Sequence, residues 1–261
     1  MTSFDLLLQS QYFLPLLVAL FVGGTAGALG AFMLIKRMAL VGDALTHVAL
    51  PGMGLALLWG YDPFIGAFAS LSVAVICIWW LRGYTKLPFE ALVGILFTGS
   101  LAVGVLIIPD AELMEALFGD ITSLHVVDGL LAIVIAIIIL LGLRAFKSHF
   151  IITTISEDVA RASGISVSRT DFIYLLLVAC LVALGVKFVG ALLMGALVII
   201  PAASAQNVAR SFSQYISLSV LFGVVGALAG VLLHFATGLE AGPLVVLASA
   251  MLFLVSFIFK R

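Results

Sequence analysis

The stretch Asp171-Phe-Ile-Tyr-Leu-Leu-Leu-Val-Ala-Cys-Leu-Val-Ala-Leu-Gly-Val-Lys187-Phe-Val-Gly-Ala-Leu-Leu-Met-Gly-Ala-Leu-Val-Ile-Ile-Pro-Ala-Ala-Ser-Ala-Gln-Asn-Val208 decides how this chain folds. Only Gly185, Lys187 and Gly190 divide an otherwise continuous apolar block. A membrane span needs about 20 apolar residues, so the block holds two crossings, or one full crossing and one half-length or re-entrant helix. Non-helical backbone is tolerated at that depth only where protein or a water cavity surrounds it.

Comparable runs lie near 11–35, 39–59, 64–81, 89–108, 129–146, 214–236 and 243–259. Mean hydropathy is +1.34 and 10% of residues are charged, against about 25% in a soluble protein. The expected fold is therefore all-α: a polytopic transmembrane bundle of eight to nine spans, forming one domain over residues 1–261. The first residues lack a basic segment and a small-residue cleavage site, so the run from Gln11 reads as a permanent span. A net charge of −1 makes no case for nucleic acid. Cys77 and Cys180 are isolated in apolar helices and read as small buried hydrophobes. No Gly-x-x-x-x-Gly-Lys-Ser/Thr phosphate loop occurs, so if ATP drives this protein another chain binds it.

Lys36/Arg37, Arg82/Lys86, Arg144/Lys147, Arg161/Arg169, Arg210 and Lys260/Arg261 fall in alternate connections, which the positive-inside rule places in the cytoplasm. Of the 12 Lys and Arg residues only Lys187 departs from it; it reads as snorkelling to the interface or pairing with a carboxylate. Nine runs then give an outer N-terminus and a cytoplasmic C-terminus. The same topology puts Asp5, Asp62, Asp110, Glu112, Glu115, Asp120, Asp128 and Glu240 outside, as solvated loop charge or as a surface that concentrates cations. Glu90 opens the fourth span, where the helix dipole favours an acid. Gly23-x-x-x-Gly27, Ser100-x-x-x-Gly104, Ala191-x-x-x-Gly195 and Gly226-x-x-x-Gly230 have the spacing of close helix contacts. No repeat of one half of the chain in the other is evident, which weighs against secondary transporters built from paired repeats.

Within the second run, Arg37-Met-Ala-Leu-Val-Gly-Asp-Ala-Leu-Thr-His-Val-Ala-Leu-Pro51 places Asp43 and His47 four residues apart on one helix face. Ionisable groups inside a bilayer are costly and usually mark an ion pathway. Three readings are open from the residues alone: metal ligands, a proton relay, or a hydrogen-bonded helix pair. His234, six residues before Glu240, is either an entry ligand or an interfacial histidine. His125 reads as solvated, and His149 carries no expected metal role. Two segments do not span. Pro109–Asp120 has Leu113, Met114, Leu117 and Phe118 at amphipathic spacing and an acidic face outside. Thr154–Arg169, inside, offers Ser156 as an N-cap, Glu157 and Asp158 in a first turn, and Gly164 as a C-cap. A short capped helix there is either a plain connection or a lever for a cytoplasmic partner.

Taken together, these motifs resemble the membrane subunits of zinc/manganese-type ABC importers over nearly the whole chain. The resemblance rests on Arg37–His47 with Pro51-Gly52, Leu117-Phe-Gly-Asp120, Ile155–Gly164, Lys187–Ala203 and Ala241-Gly-Pro243. It implies a type II importer fold and a homodimeric permease in the bacterial inner membrane. It further implies two cytoplasmic ATPase subunits and an extracytoplasmic metal-binding protein as partners. The chain itself would be no enzyme and hold no permanent cofactor. The family's Gly-Asp-x-x-x-His motif falls on Gly42, Asp43 and His47, making that pair transit ligands. Its ATPase-coupling helix falls on roughly Ser156–Ser168, with Ser156, Glu157, Asp158, Arg161 and Gly164. Imidazole and carboxylate suit zinc, and manganese with more oxygen donors. In a homodimer the two Asp–His pairs would face one axial path as four ligands. The Lys187-Phe-Val-Gly-Ala-Leu-Leu stretch is closer to the zinc-type members than to those for manganese or iron. The rival functions are a proton-coupled secondary metal transporter acting without an ATPase and a membrane scaffold or sensor.

Overall fold

The structure, a computed structural model, describes residues 10–85, 87–108, 117, 119 and 126–259. The segment Pro109–Asp120 except Leu117 and Gly119, together with Asp5, Lys86, His125, Lys260 and Arg261, lies outside the described residues. Eleven helices can be bounded among the described residues: α1 Ser10–Ile35, α2 Ala39–Leu58, α3 Pro63–Tyr84, α4 Phe89–Ile107, α5 Val126–Ala145, α6 Lys147–Ile155, α7 Glu157–Ala162, α8 Val167–Val189, α9 Ala191–Val208, α10 Phe212–Thr237 and α11 Ala241–Ile258.

Every apolar run is a helix, and 8 of them are long and apolar enough to cross a membrane. The block 171–208 becomes the full-length α8 and the shorter α9. The chain reverses between them in one residue, Gly190, at φ 88° and ψ 158°, backbone that essentially only glycine adopts. With 18 residues, α9 is about 27 Å long against a hydrocarbon core of about 30 Å. It is surrounded by α1, α2, α8, α10 and α11, so its ends need not meet lipid.

α1, α2 and α8 are the most buried helices, while α3, α4, α5 and α11 present much of their surface outward. Lipid tails are as apolar as leucine, so packing inside a bilayer relies on close contact rather than on exclusion of water. The glycine spacings serve that purpose. Gly23 and Gly27 of α1 lie directly against the backbone of Gly223 and Ser219 of α10, and Gly226 and Gly230 meet Ser249 and Val245 of α11. Gly52 and Gly66 bring α2 against α3 in the same way. Gly119, at φ 70°, sits on the α8–α9 corner, where a Cβ would lie 2.6 Å from the Gly190 nitrogen. Two motifs far apart in sequence therefore meet at one point.

The connection between α5 and α8 differs from the sequence expectation. The chain first forms α6, whose Phe150 is fully buried and packs edge-on against Tyr174 of α8, with ring centroids 5.4 Å apart. The capped helix is then shorter than Ser156–Ser168. Ser156 accepts from the Val159 N–H at 3.3 Å, and the helix ends at Ala162. Gly164, at φ 76°, and Ile165 donate back to the carbonyls of Arg161 and Ala160, a Schellman-type ending. α8 starts separately under its own cap, Ser166. The stop arises because Gly164 takes the left-handed conformation and satisfies the last carbonyls of α7.

Candidate metal transit site

α2 begins at a tight corner after α1. Arg37 takes φ 58° there, a region that residues other than glycine rarely occupy, and the Met38 N–H donates to the Met33 carbonyl at 2.9 Å. Two turns along, Thr46 is fully buried and closes its hydroxyl onto the Asp43 carbonyl at 2.6 Å. From Leu40 to Ala56 the positions that are not buried are Leu40, Asp43, His47, Pro51 and Leu55. Spacings of three and four place these residues on one face of the helix. Asp43 and His47 thus share the single stripe of α2, between Leu40 and Ala56, that its own chain leaves partly covered.

The surroundings hold the pair in place. A Cβ on Gly195 of α9 would lie 2.7 Å from Asp43 Oδ1 and 3.0 Å from its Cα, so the short helix backs directly onto the carboxylate. The His47 ring meets Phe97 of α4 edge-on at 5.2 Å, and its Nδ1 is buried without a hydrogen-bond partner among the described residues. That atom makes no helix–helix hydrogen bond, so it gives the structural reading of the pair no support. Further along the stripe, Pro51 and Leu55 line an apolar cavity of about 800 Å³ between α2, α3 and α4.

Among the described residues no group of three or more His, Cys, Asp or Glu could hold a metal ion. The pair supplies two donors, fewer than the four a closed zinc site uses. His234 lies in the corner between α10 and α11, its Nδ1 2.5 Å from the Leu239 carbonyl. His149 lies on α6, and Glu90 is in the first turn of α4.

Lys187 pairs with two carboxylates, Asp62 at 3.3 Å and Asp128 at 3.1 Å. Asp62 also caps α3 by accepting from the Phe64 N–H at 2.7 Å. Asp62 and Asp128 are thus both held by the Lys187 ammonium. At the opposite end of the bundle, Asp171 is buried and binds Lys36 at 2.7 Å and Arg82 at 2.5 Å. Sequence reasoning missed Asp171 and the seat formed by Gly195. Asp171 lies at the start of an apolar run, and Gly195 belongs to a small-residue spacing that recurs along the chain.

Comparison with known proteins agrees with this architecture. Residues 10–260 match the model of the ABC 3 transport family. The chain is 32% identical over 246 residues to the manganese import system permease protein ScaB of Streptococcus gordonii, covering 93% of this chain and 88% of that protein. It is 32% identical over 254 residues to the high-affinity zinc uptake system membrane protein ZnuB of Haemophilus influenzae, covering 95% and 97%. Among solved structures, PsaBC from Streptococcus pneumoniae in complex with Fab superposes with a TM-score of 0.88 at 31% identity, over 99% of this chain and 95% of that one. With eight apolar helices long enough to cross a membrane and the family pattern along nearly its full length, the chain belongs to the ABC 3 transport family as a membrane-embedded permease, a transport component rather than an enzyme.

Proposed function

We propose that this permease passes a divalent transition metal through an ATP-driven bacterial importer, with Asp43 and His47 as transit ligands. The observation that carries the proposal is the half-buried stripe on α2, where a carboxylate lies one turn from an imidazole whose Nδ1 has no hydrogen-bond partner among the described residues, on an otherwise buried stretch of helix. Two donors per chain bind weakly enough for release. A second copy of the chain across a two-fold axis would raise the number to four. The end of the bundle that holds Lys36, Arg37, Arg82, Arg161 and Arg169 is the cytoplasmic one in this reading, with α7 against a separate ATPase subunit and the C-terminus inside. An extracytoplasmic binding protein would deliver the ion at the end that holds Asp62, Asp128 and Lys187. The cargo is zinc or manganese. The relatives named for each share the same 32% identity with this chain, so the Lys187 stretch does not single out zinc, and neither relative is named for iron.

The test is ATP-dependent uptake by the assembled complex in liposomes, comparing zinc, manganese and iron at equal free concentration. His47→Ala should abolish uptake while the ATPase still co-purifies; loss of assembly instead would make the residue structural. Metal transport by the isolated chain without ATP would favour the proton-coupled secondary transporter.

A further inference from the structure

Five charged side chains of alternating sign run from α7 to the corner that starts α2. Arg161 holds Glu157 at 3.2 Å along one face of α7. Glu157 reaches Arg82, in the last turn of α3, at 4.0 Å. Arg82 binds Oδ2 of Asp171 on α8, and Oδ1 of the same carboxylate binds Lys36 at 2.7 Å. Lys36 is nearly enclosed, with its ammonium 5.2 Å from the ring centre of Tyr174 and 5.9 Å from that of Phe150. The next residue is Arg37, the one described non-glycine residue with a positive φ. Asp43 follows six residues later.

We propose that Asp171 is a positioning residue through which movement of α7 reaches the α1–α2 corner and so reorients Asp43 and His47. A carboxylate is a rigid planar group, so displacing the cation on one oxygen turns the other oxygen and the cation it holds. The burial of Asp171 and Lys36 strengthens the link, because a charge there has no water to take the place of its partner. The exposed end of the chain, Arg161 and Glu157, lies where an outside subunit can act on it. The inner end lies at a corner held in an uncommon backbone conformation, at Arg37. A local pin between α3 and α8 exists separately: Trp79 Nε1 donates to Ser168 Oγ at 2.9 Å.

The inference rests on α7 being the ATPase contact, so the experiment separates the two. In the assembled complex in liposomes, metal transported per ATP hydrolysed is measured for Asp171→Asn and Asp171→Glu, with Asp158→Cys on α7 for cross-linking to the ATPase. Asp171→Asn should lower metal per ATP by about tenfold, with ATPase co-purification retained and Asp171→Glu restoring most of it. Unchanged metal per ATP with the cross-link formed overturns the role of Asp171 alone. Failure of the cross-link overturns the α7 reading and the inference with it. If Asp171→Asn does not assemble, Glu157→Gln and Arg82→Gln take its place. Losses of coupling that do not add in the double variant support the relay, and fully additive losses overturn it.

Discussion

Asp43 depends on a neighbour that has no chemistry of its own. Gly195 leaves room for the carboxylate, and a methyl group there would sit 2.7 Å from Oδ1 and 3.0 Å from Cα. The helix backbone cannot yield as a flexible side chain would, so Gly195→Ala should displace Asp43 and cost about 1–3 kcal/mol by overpacking. Uptake should fall well below wild type while the complex still assembles. Parallel measurement of metal uptake and of the thermal midpoint in detergent checks this, and an unchanged uptake would show that Asp43 has no fixed seat. Lys187 makes the opposite point. It is the one cation that breaks the inside-positive pattern, and its two carboxylate partners account for it. Its pairs are partly exposed, so their worth lies in orienting the ends of α3, α5 and α8 more than in stability.

At the scale of elements, the decisive piece is the short α9. It fits inside the bundle because Gly190 turns the chain over in a single residue and because Gly119 admits the corner without a side chain. Gly190→Ala should therefore cost about 1–3 kcal/mol of backbone strain and reduce transport as well, since α9 carries Gly195 against Asp43. The thermal midpoint and uptake of this variant should fall together. Gly60 is the control: its φ is 72°, but no atom lies near its missing Cβ. Gly60→Ala should cost about 1–2 kcal/mol and leave metal transported per ATP unaltered. The cap of α7 follows the same logic in miniature, since Ser156, the acidic first turn and Gly164 suffice to define a helix of 6 residues.

For the whole molecule, the partly covered stripe of α2 carries two donors, and among the described residues no third His, Cys, Asp or Glu joins them. If two copies share one path, a complex with one wild-type and one His47→Ala chain holds three donors rather than four. Its uptake should then lie far below half of wild type. Differently tagged copies, purified in tandem and assayed in liposomes, give the measurement; half-activity would mean that each chain conducts alone.

The spans, their boundaries to within a few residues, the caps of α7 and the Asp43–His47 pair were legible because each is written in local sequence. Apolar run length, a serine before two acids, and a spacing of four need no knowledge of the rest of the chain. The short helix α6 was not legible, because Phe146-Lys-Ser-His-Phe150 reads as a polar connection and nothing local shows that Phe150 will be buried edge-on against Tyr174. Nor were the partners of Asp171, which lie 135 and 89 residues away in sequence, or of Lys187, which lies 125 residues from Asp62. A charge at the end of an apolar run carries no local sign of which distant charge will face it. By itself, then, the sequence determined which segments enter the membrane and which two side chains could meet a metal there, since hydropathy and helical spacing are properties of neighbours. Only the tertiary structure decided that the pair lies on the half-buried face of α2, that a glycine from α9 backs Asp43, and that a buried carboxylate joins Lys36 to Arg82, because those depend on which helices are pressed together.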